Sequence, residues 1–148
     1  ADTTVDRLVN AFPTGQQGQV RGMLSESLRA VLCQYLVKKK DGKGRALAAE
    51  IMLNTDAVGT LIRQNKTYQL PSIVATQREL GMQSMDNDLM RLLREGAISA
   101  EEAFVKARDK KPFEELVAAE AAEKAGPTFG MNANKPSPLP PPQARKAG

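Results

Sequence analysis

Histidine is absent from all 148 residues, and with it go histidine-based catalytic triads, imidazole metal sites and histidine general bases within this chain. Tryptophan is absent too, and aromatic residues make up only 4% of the sequence. That leaves little material for stacking on nucleic-acid bases. A single cysteine, Cys33, rules out an internal disulfide and a multi-cysteine metal site. Its neighbours Val31 and Leu32 predict that it serves as a small buried hydrophobe. No window approaches the roughly 18 consecutive apolar residues of a membrane span. The opening ADTTVDRLVN lacks both the basic and the apolar region of a secretory signal, so a cytoplasmic location is the default expectation. No GxxxxGK[ST] phosphate loop occurs, and the only Gly-Lys pair, in DGKGR, is followed by glycine. The expectation is a chain without a nucleotide site of its own and without an enzymatic centre.

The surplus of basic residues is also less than it looks. Of the formal net charge of +4, Lys135, Arg145 and Lys146 supply +3 from residues 125–148, which hold no acid. The remaining 124 residues balance 18 basic against 17 acidic side chains. A nucleic-acid surface concentrates positive charge on one face, so this distribution argues against one. The run Lys38 to Lys40 with Lys43 reads as a solvated turn. ATQRELGMQSMDNDLMRLLREG has the outline of a helix-turn-helix, but Asp86 and Asp88 would set carboxylates against phosphates at the start of the reading helix. The paired acids Glu101 and Glu102, or Glu114 and Glu115, lie at helix starts, where the helix dipole explains them without catalysis.

What is present is a mainly helical pattern with one β-hairpin. Thr3 or Thr4 caps a short helix through Ala11, stopped by Pro13. Val20, Met23, Leu24, Ser27, Leu28 and Val31 recur at helical spacing and predict a helix over about 14–32 with one buried face. Two strands then flank KKDGKG, whose glycines supply positive φ. The second strand, Arg45 to Leu53, is apolar on both faces and asks for cover on both. A lone hairpin is marginal, so this one is expected to extend a larger sheet that the sequence does not contain. Helices follow from a cap at Asn54 or Thr55, from Pro71 to Leu80 with a stop at Gly81, from Met85 to Arg94, and from the Ser99/Glu102 capping box to about Arg108. A last helix starts near Pro112, with a weak apolar side of Phe113, Leu116 and Val117. From residue 125 the prolines 127, 136, 138 and 140–142 predict a disordered tail, in which PSPLPPP could serve a proline-binding domain. The chain opens at alanine with its amphipathic pattern already under way, as expected of a cut through a longer protein.

The order of segments adds a resemblance. TVDRLVNAFP, QQGQVRGMLSESLRAVLCQYLV, DGKGRALAAEIMLNT, AVGTLIRQNKTYQLPSIVATQRELGMQSMD and LLREGAISAEEA follow one another between Thr3 and Arg108. This resembles the C-terminal part of the twitching-motility, pilus-retraction ATPases (PilT type) of the secretion-ATPase superfamily, and YQLPSIV favours the retraction branch. The resemblance implies the end of a RecA-like P-loop ATPase domain over residues 1–53, a helical C-terminal subdomain over 54–124 and a tail over 125–148. It implies a hexameric motor that uses ATP and Mg²⁺ and works with pilus machinery at the inner membrane. The nucleotide motifs of the family would lie upstream, so no catalytic, cofactor or metal residue carries over. The family block AIRNLIRE, tied to retraction beyond ATP hydrolysis, stands here as AVGTLIRQ. Ala57, Leu61, Ile62 and Arg63 match it, with Arg63 as the candidate surface residue, whereas Gly59, Thr60 and Gln64 depart. A freestanding helical scaffold module is the alternative reading.

Overall fold

The computed structural model describes residues 1–125. The proline-rich tail expected beyond them lies outside the described residues. Among the described residues, seven helices accompany one hairpin: α1 (Asp2–Asn10), α2 (Thr14–Ser27), β1 (Ala30–Lys38), β2 (Arg45–Leu53), α3 (Asp56–Arg63), α4 (Leu70–Thr76), α5 (Met85–Arg94), α6 (Ala100–Lys106) and α7 (Lys111–Ala125). Single 3₁₀ turns at Thr67–Gln69 and Arg78–Leu80 flank α4. The chain is thus mainly helical with one antiparallel two-stranded sheet.

The hairpin follows from its turn. Gly42 and Gly44 take φ of 71° and 87°, and Asp41 Oδ1 accepts the Lys43 N–H at 2.8 Å, so the chain reverses over six exposed residues, Lys39 to Gly44. That turn fixes the register: Val37 opposes Ala46, Leu36 opposes Leu47, Leu32 opposes Ile51 and Val31 opposes Met52. One face of the sheet is covered by two apolar clusters. Val37, Ala46 and Ala48 pack with Leu89, Leu92, Ile98 and Phe113, while Val31 and Met52 pack with Val5, Val58, Ile62, Leu70 and Val74. Each buried Val, Leu, Ile, Phe or Met among them stabilises the fold by roughly 1.5–3 kcal/mol. The other face is open: Leu32 and Leu36 are each 61% exposed and Leu47 is 47% exposed. Of the two covers that β2 asks for, the described residues supply one.

The two edges of the hairpin differ as well. The outer edge of β2 is sealed, because Ile51 exchanges two backbone hydrogen bonds with Gln83 (2.8 and 2.9 Å). Gln83 Nε2 donates to Ala49 O, and Asp88 Oδ2 accepts the Ala49 N–H, both at 2.8 Å. Along β1, nothing outside the hairpin pairs with the backbone of Leu32 or Gln34 among the described residues.

Several local expectations need correction. Helix α2 stops at Ser27, because Leu28 is already extended (φ −60°, ψ 137°) and Val31, counted in the helical stripe, belongs to β1. Its expected buried face is largely open: Met23 is 62% exposed, and Ser25 alone is buried within the helix. Thr3 and Thr4 do not cap α1, which begins at Asp2. Thr55 stands at the N-cap of α3, as expected, but neither its side chain nor that of Asn54 makes a capping bond there; both serve other partners, described below. The helix expected to run from Pro71 to Leu80 breaks at Gln77 into α4 and a 3₁₀ turn, although Gly81 does supply the left-handed stop (φ 89°). That break also removes the first helix of the helix-turn-helix outline. Ser99 does cap α6, accepting the Glu102 N–H at 3.3 Å. Cys33 is half-buried rather than buried, touching both clusters, with Thr4 Oγ1 at 3.7 Å.

Candidate functional site at the junction of α2 and α3

The residues of AVGTLIRQ form α3 and its exit. Val58 and Ile62, four apart on one helical face, are fully buried and anchor the helix to the second cluster. Leu61 is half-buried against the same cluster, and Ala57 is half-buried. The four matched residues thus divide: Leu61 and Ile62 pack inward, Ala57 sits between, and Arg63 is exposed. One helix brings them together, so their proximity is a consequence of spacing alone.

What shapes the site is the close approach of α2. Asn54 ties the two helices: its Nδ2 donates to the carbonyls of Ser25 and Leu28, and its backbone N–H to Arg29 O, all at 2.9 Å. Ser25 and Leu28 lie at the end of α2, where carbonyls have no partner within the helix. Asn54 therefore caps the preceding helix instead of the one that follows it. Its Oδ1 is buried and has no partner among the described residues. Gly59 faces this network, and a Cβ there would stand 3.0 Å from Ser25 O. A glycine inside a helix costs about 1 kcal/mol relative to alanine, which the close packing of α2 explains here. Thr55 Oγ1 meanwhile donates to Gln77 Oε1 at 3.2 Å, fixing the start of α3 against the end of α4.

Arg63 belongs to the same network. Its Nη1 donates to Ser25 Oγ at 3.3 Å, and Ser25 Oγ donates to Gly22 O at 2.6 Å. The guanidinium is thereby held at the rim of a cavity of about 440 Å³ between the helices. Glu26 and Arg29 line it from the α2 side, Asp56, Gly59 and Arg63 from the α3 side. None of the four charged side chains forms an ion pair among the described residues, although ion pairs occur elsewhere in the fold. Such a cavity can bind but has no nucleophile paired with a base. No cluster of three or more potential metal ligands exists among the described residues.

Sequence reasoning missed Ser25, Glu26, Arg29 and the true role of Asn54. A mid-helix glycine at 59 was the available signal, since it implies that something lies close to the backbone. The acids of the helix-turn-helix outline are also accounted for. Asp88 is 3% exposed and seals β2, while the Asp86 carboxylate accepts the Arg108 and Asp109 N–H groups at 2.8 and 3.0 Å. Among the described residues, no helix is long and apolar enough to cross a membrane.

No family model matches the chain. Individual proteins do. A twitching motility protein of Neisseria gonorrhoeae is 46% identical over 111 residues, 75% of this chain and 30% of that protein. The type IV pilus retraction ATPase PilT of Pseudomonas aeruginosa is 45% identical over 113 residues, 76% of this chain and 33% of that protein. The crystal structure of the pilus retraction motor PilT with bound ADP superposes with a TM-score of 0.66 and 37% identity, covering 78% of this chain and 32% of that one. The chain spans about a third of the length of the relatives it matches. Over about three quarters of its own length, the chain is homologous to the twitching-motility and type IV pilus ATPases.

Proposed function

We propose that this chain supplies the C-terminal part of a hexameric, ATP-driven pilus-retraction motor working at the inner membrane from the cytoplasmic side. In this reading it contributes subunit-packing surfaces and the helix that couples the motor to retraction. The observation that carries this is the 46% identity over 111 residues to a twitching motility protein, joined to the structural match with PilT. The open face and free edge of the hairpin suit that role. Exposed Leu32, Leu36 and Leu47 beside an unpaired β1 backbone are what the end of a larger sheet presents when its neighbours lie elsewhere in the polypeptide.

ATP and Mg²⁺ do not fit the residues of this chain. Its only Gly-Lys sits in the exposed hairpin turn, where the Lys43 N–H is spent on Asp41 rather than free to cradle a phosphate. Nucleotide chemistry therefore falls to the part of the motor homologous to the remaining two thirds of the relatives. The share of this chain is mechanical: α3, anchored through Val58 and Ile62, presents Arg63 at the surface as a rigid contact.

The test is genetic. Deleting the gene in its own organism should abolish pilus-dependent surface spreading while pili are still assembled. Arg63→Ala in the intact protein should lower spreading further than it lowers ATP hydrolysis. Spreading that survives deletion overturns the reading, and an equal loss of spreading and hydrolysis in Arg63→Ala moves Arg63 from coupling to folding or assembly.

A further inference from the structure

The cavity beside α3 has a second wall. Across the cavity from Arg63 stand Glu26 and Arg29, which belong to the end of α2 and the link to β1 and lie outside the AVGTLIRQ segment. Three observations mark this wall as part of one recognition surface. The cavity is concave, and Gly59 contributes no side chain to it. Arg63 is oriented in advance by Ser25, so little conformational entropy is lost when it meets a partner. Finally, Glu26, Arg29, Asp56 and Arg63 share the cavity without forming an ion pair with one another or with any other described residue, which leaves two guanidinium groups and two carboxylates without a charged partner there.

We propose that the groove between α2 and α3 receives a polar protein segment carrying both an acidic and a basic side chain. The acid meets Arg63 and Arg29, and the base meets Glu26 and Asp56. Guanidinium groups favour carboxylates because two parallel N–H donors match two oxygens. A purely apolar helix is disfavoured, since it would desolvate four charges without compensating them. A purely acidic segment would meet Glu26 and Asp56 with like charge. The inference rests on the pilus-motor reading, which identifies the partner as a component of the pilus machinery.

Arg29→Glu and Glu26→Lys, introduced separately into the chromosomal gene, test it, with Lys43→Ala in the remote hairpin turn as control. Surface spreading and the ATP hydrolysis of each purified full-length variant are measured. Both groove variants should lower spreading at least fivefold further than hydrolysis, and Lys43→Ala should change neither. Wild-type spreading in both groove variants, or hydrolysis falling in step with spreading, overturns the proposal. Loss confined to Arg29→Glu overturns the mixed-charge occupant in favour of a purely acidic one. Spreading that persists when the gene is deleted instead overturns the pilus reading itself, so the two failures are distinct.

Discussion

Asp88 gives the sharpest test of how the hairpin is held. Its Oδ2 accepts the Ala49 N–H at 2.8 Å and its Oδ1 accepts Arg91 Nε at 2.8 Å, with the side chain 3% exposed. A hydrogen bond to a charged acceptor contributes about 1.5–3 kcal/mol, and stranding its buried donor costs a similar amount. Ala49 is half-buried, so water can partly replace the carboxylate. Asp88→Ala should therefore destabilise the fold by about 2 kcal/mol, lowering Tm by roughly 8 °C for a chain of this size. Asp88→Asn retains an oxygen acceptor without the charge and should lose about 1 kcal/mol. Urea denaturation followed by circular dichroism measures the global change. Amide hydrogen exchange measures the local one, and the Ala49 amide should exchange at least about tenfold faster in Asp88→Ala, in line with about 1.4 kcal/mol per factor of ten. A loss under about 0.5 kcal/mol with unchanged Ala49 protection would refute the claim that Asp88 seals the strand, and would place it among solvated helix-start acids.

Two further perturbations probe the interfaces between elements. Gly59→Val places a Cβ 3.0 Å from Ser25 O and forces α2 away from α3, so it should destabilise by about 1–3 kcal/mol in thermal melts; a stabilised variant would show that the helices separate freely. Glu120 on α7 clamps two other elements, accepting the Ala100 N–H at 2.6 Å and pairing with Lys40 Nζ at 2.9 Å. The ion pair with Lys40, then the Ala100 hydrogen bond, holds its carboxyl below the ordinary value of 4.5. A depressed folded value stabilises above the unfolded one and is lost as pH falls through the folded value. Glu120→Gln should accordingly be less stable than the parent above about pH 4.5, with the gap closing at more acidic pH; a gap independent of pH would mean that the lost charge is not its cause.

Much of the fold was legible because its signals are local. Gly42 and Gly44 fix the hairpin, Gly81 stops the segment after α4, and Ser99 caps α6, each through geometry that one or two residues determine. The errors arose where two periods overlap or where a polar side chain had a choice of partners. Val20 to Val31 satisfies helical spacing across a junction at Leu28 that no proline or glycine marks. Asn54 is a good cap by type, yet the open carbonyls of Ser25 and Leu28 compete for its amide, and the outcome depends on how closely α2 approaches. Periodicity reports which face is apolar but not whether the cover for that face lies in the same chain, and so α2 and the outer face of β2 looked buried while Met23 and Leu47 are exposed.

The site follows the same rule from the opposite side. AVGTLIRQ was visible as a segment, and its inward residues, Leu61 and Ile62, were already explicable as packing. Arg63 was the residue left over, and sequence alone gave it a surface role without a surface. The fold adds Ser25, which orients the guanidinium, and Glu26 and Arg29, which lie more than 30 positions earlier than Arg63 yet line the same cavity. None of these has a motif of its own, because charged residues at a helix end are ordinary. Their meaning comes from Gly59: removing a side chain there lets α2 approach to the point where residues of both elements share one concave wall. Gly59 is thus the structural reason the groove exists in this form. A change of side chain at position 59 should alter what the groove admits even where Arg63 is untouched.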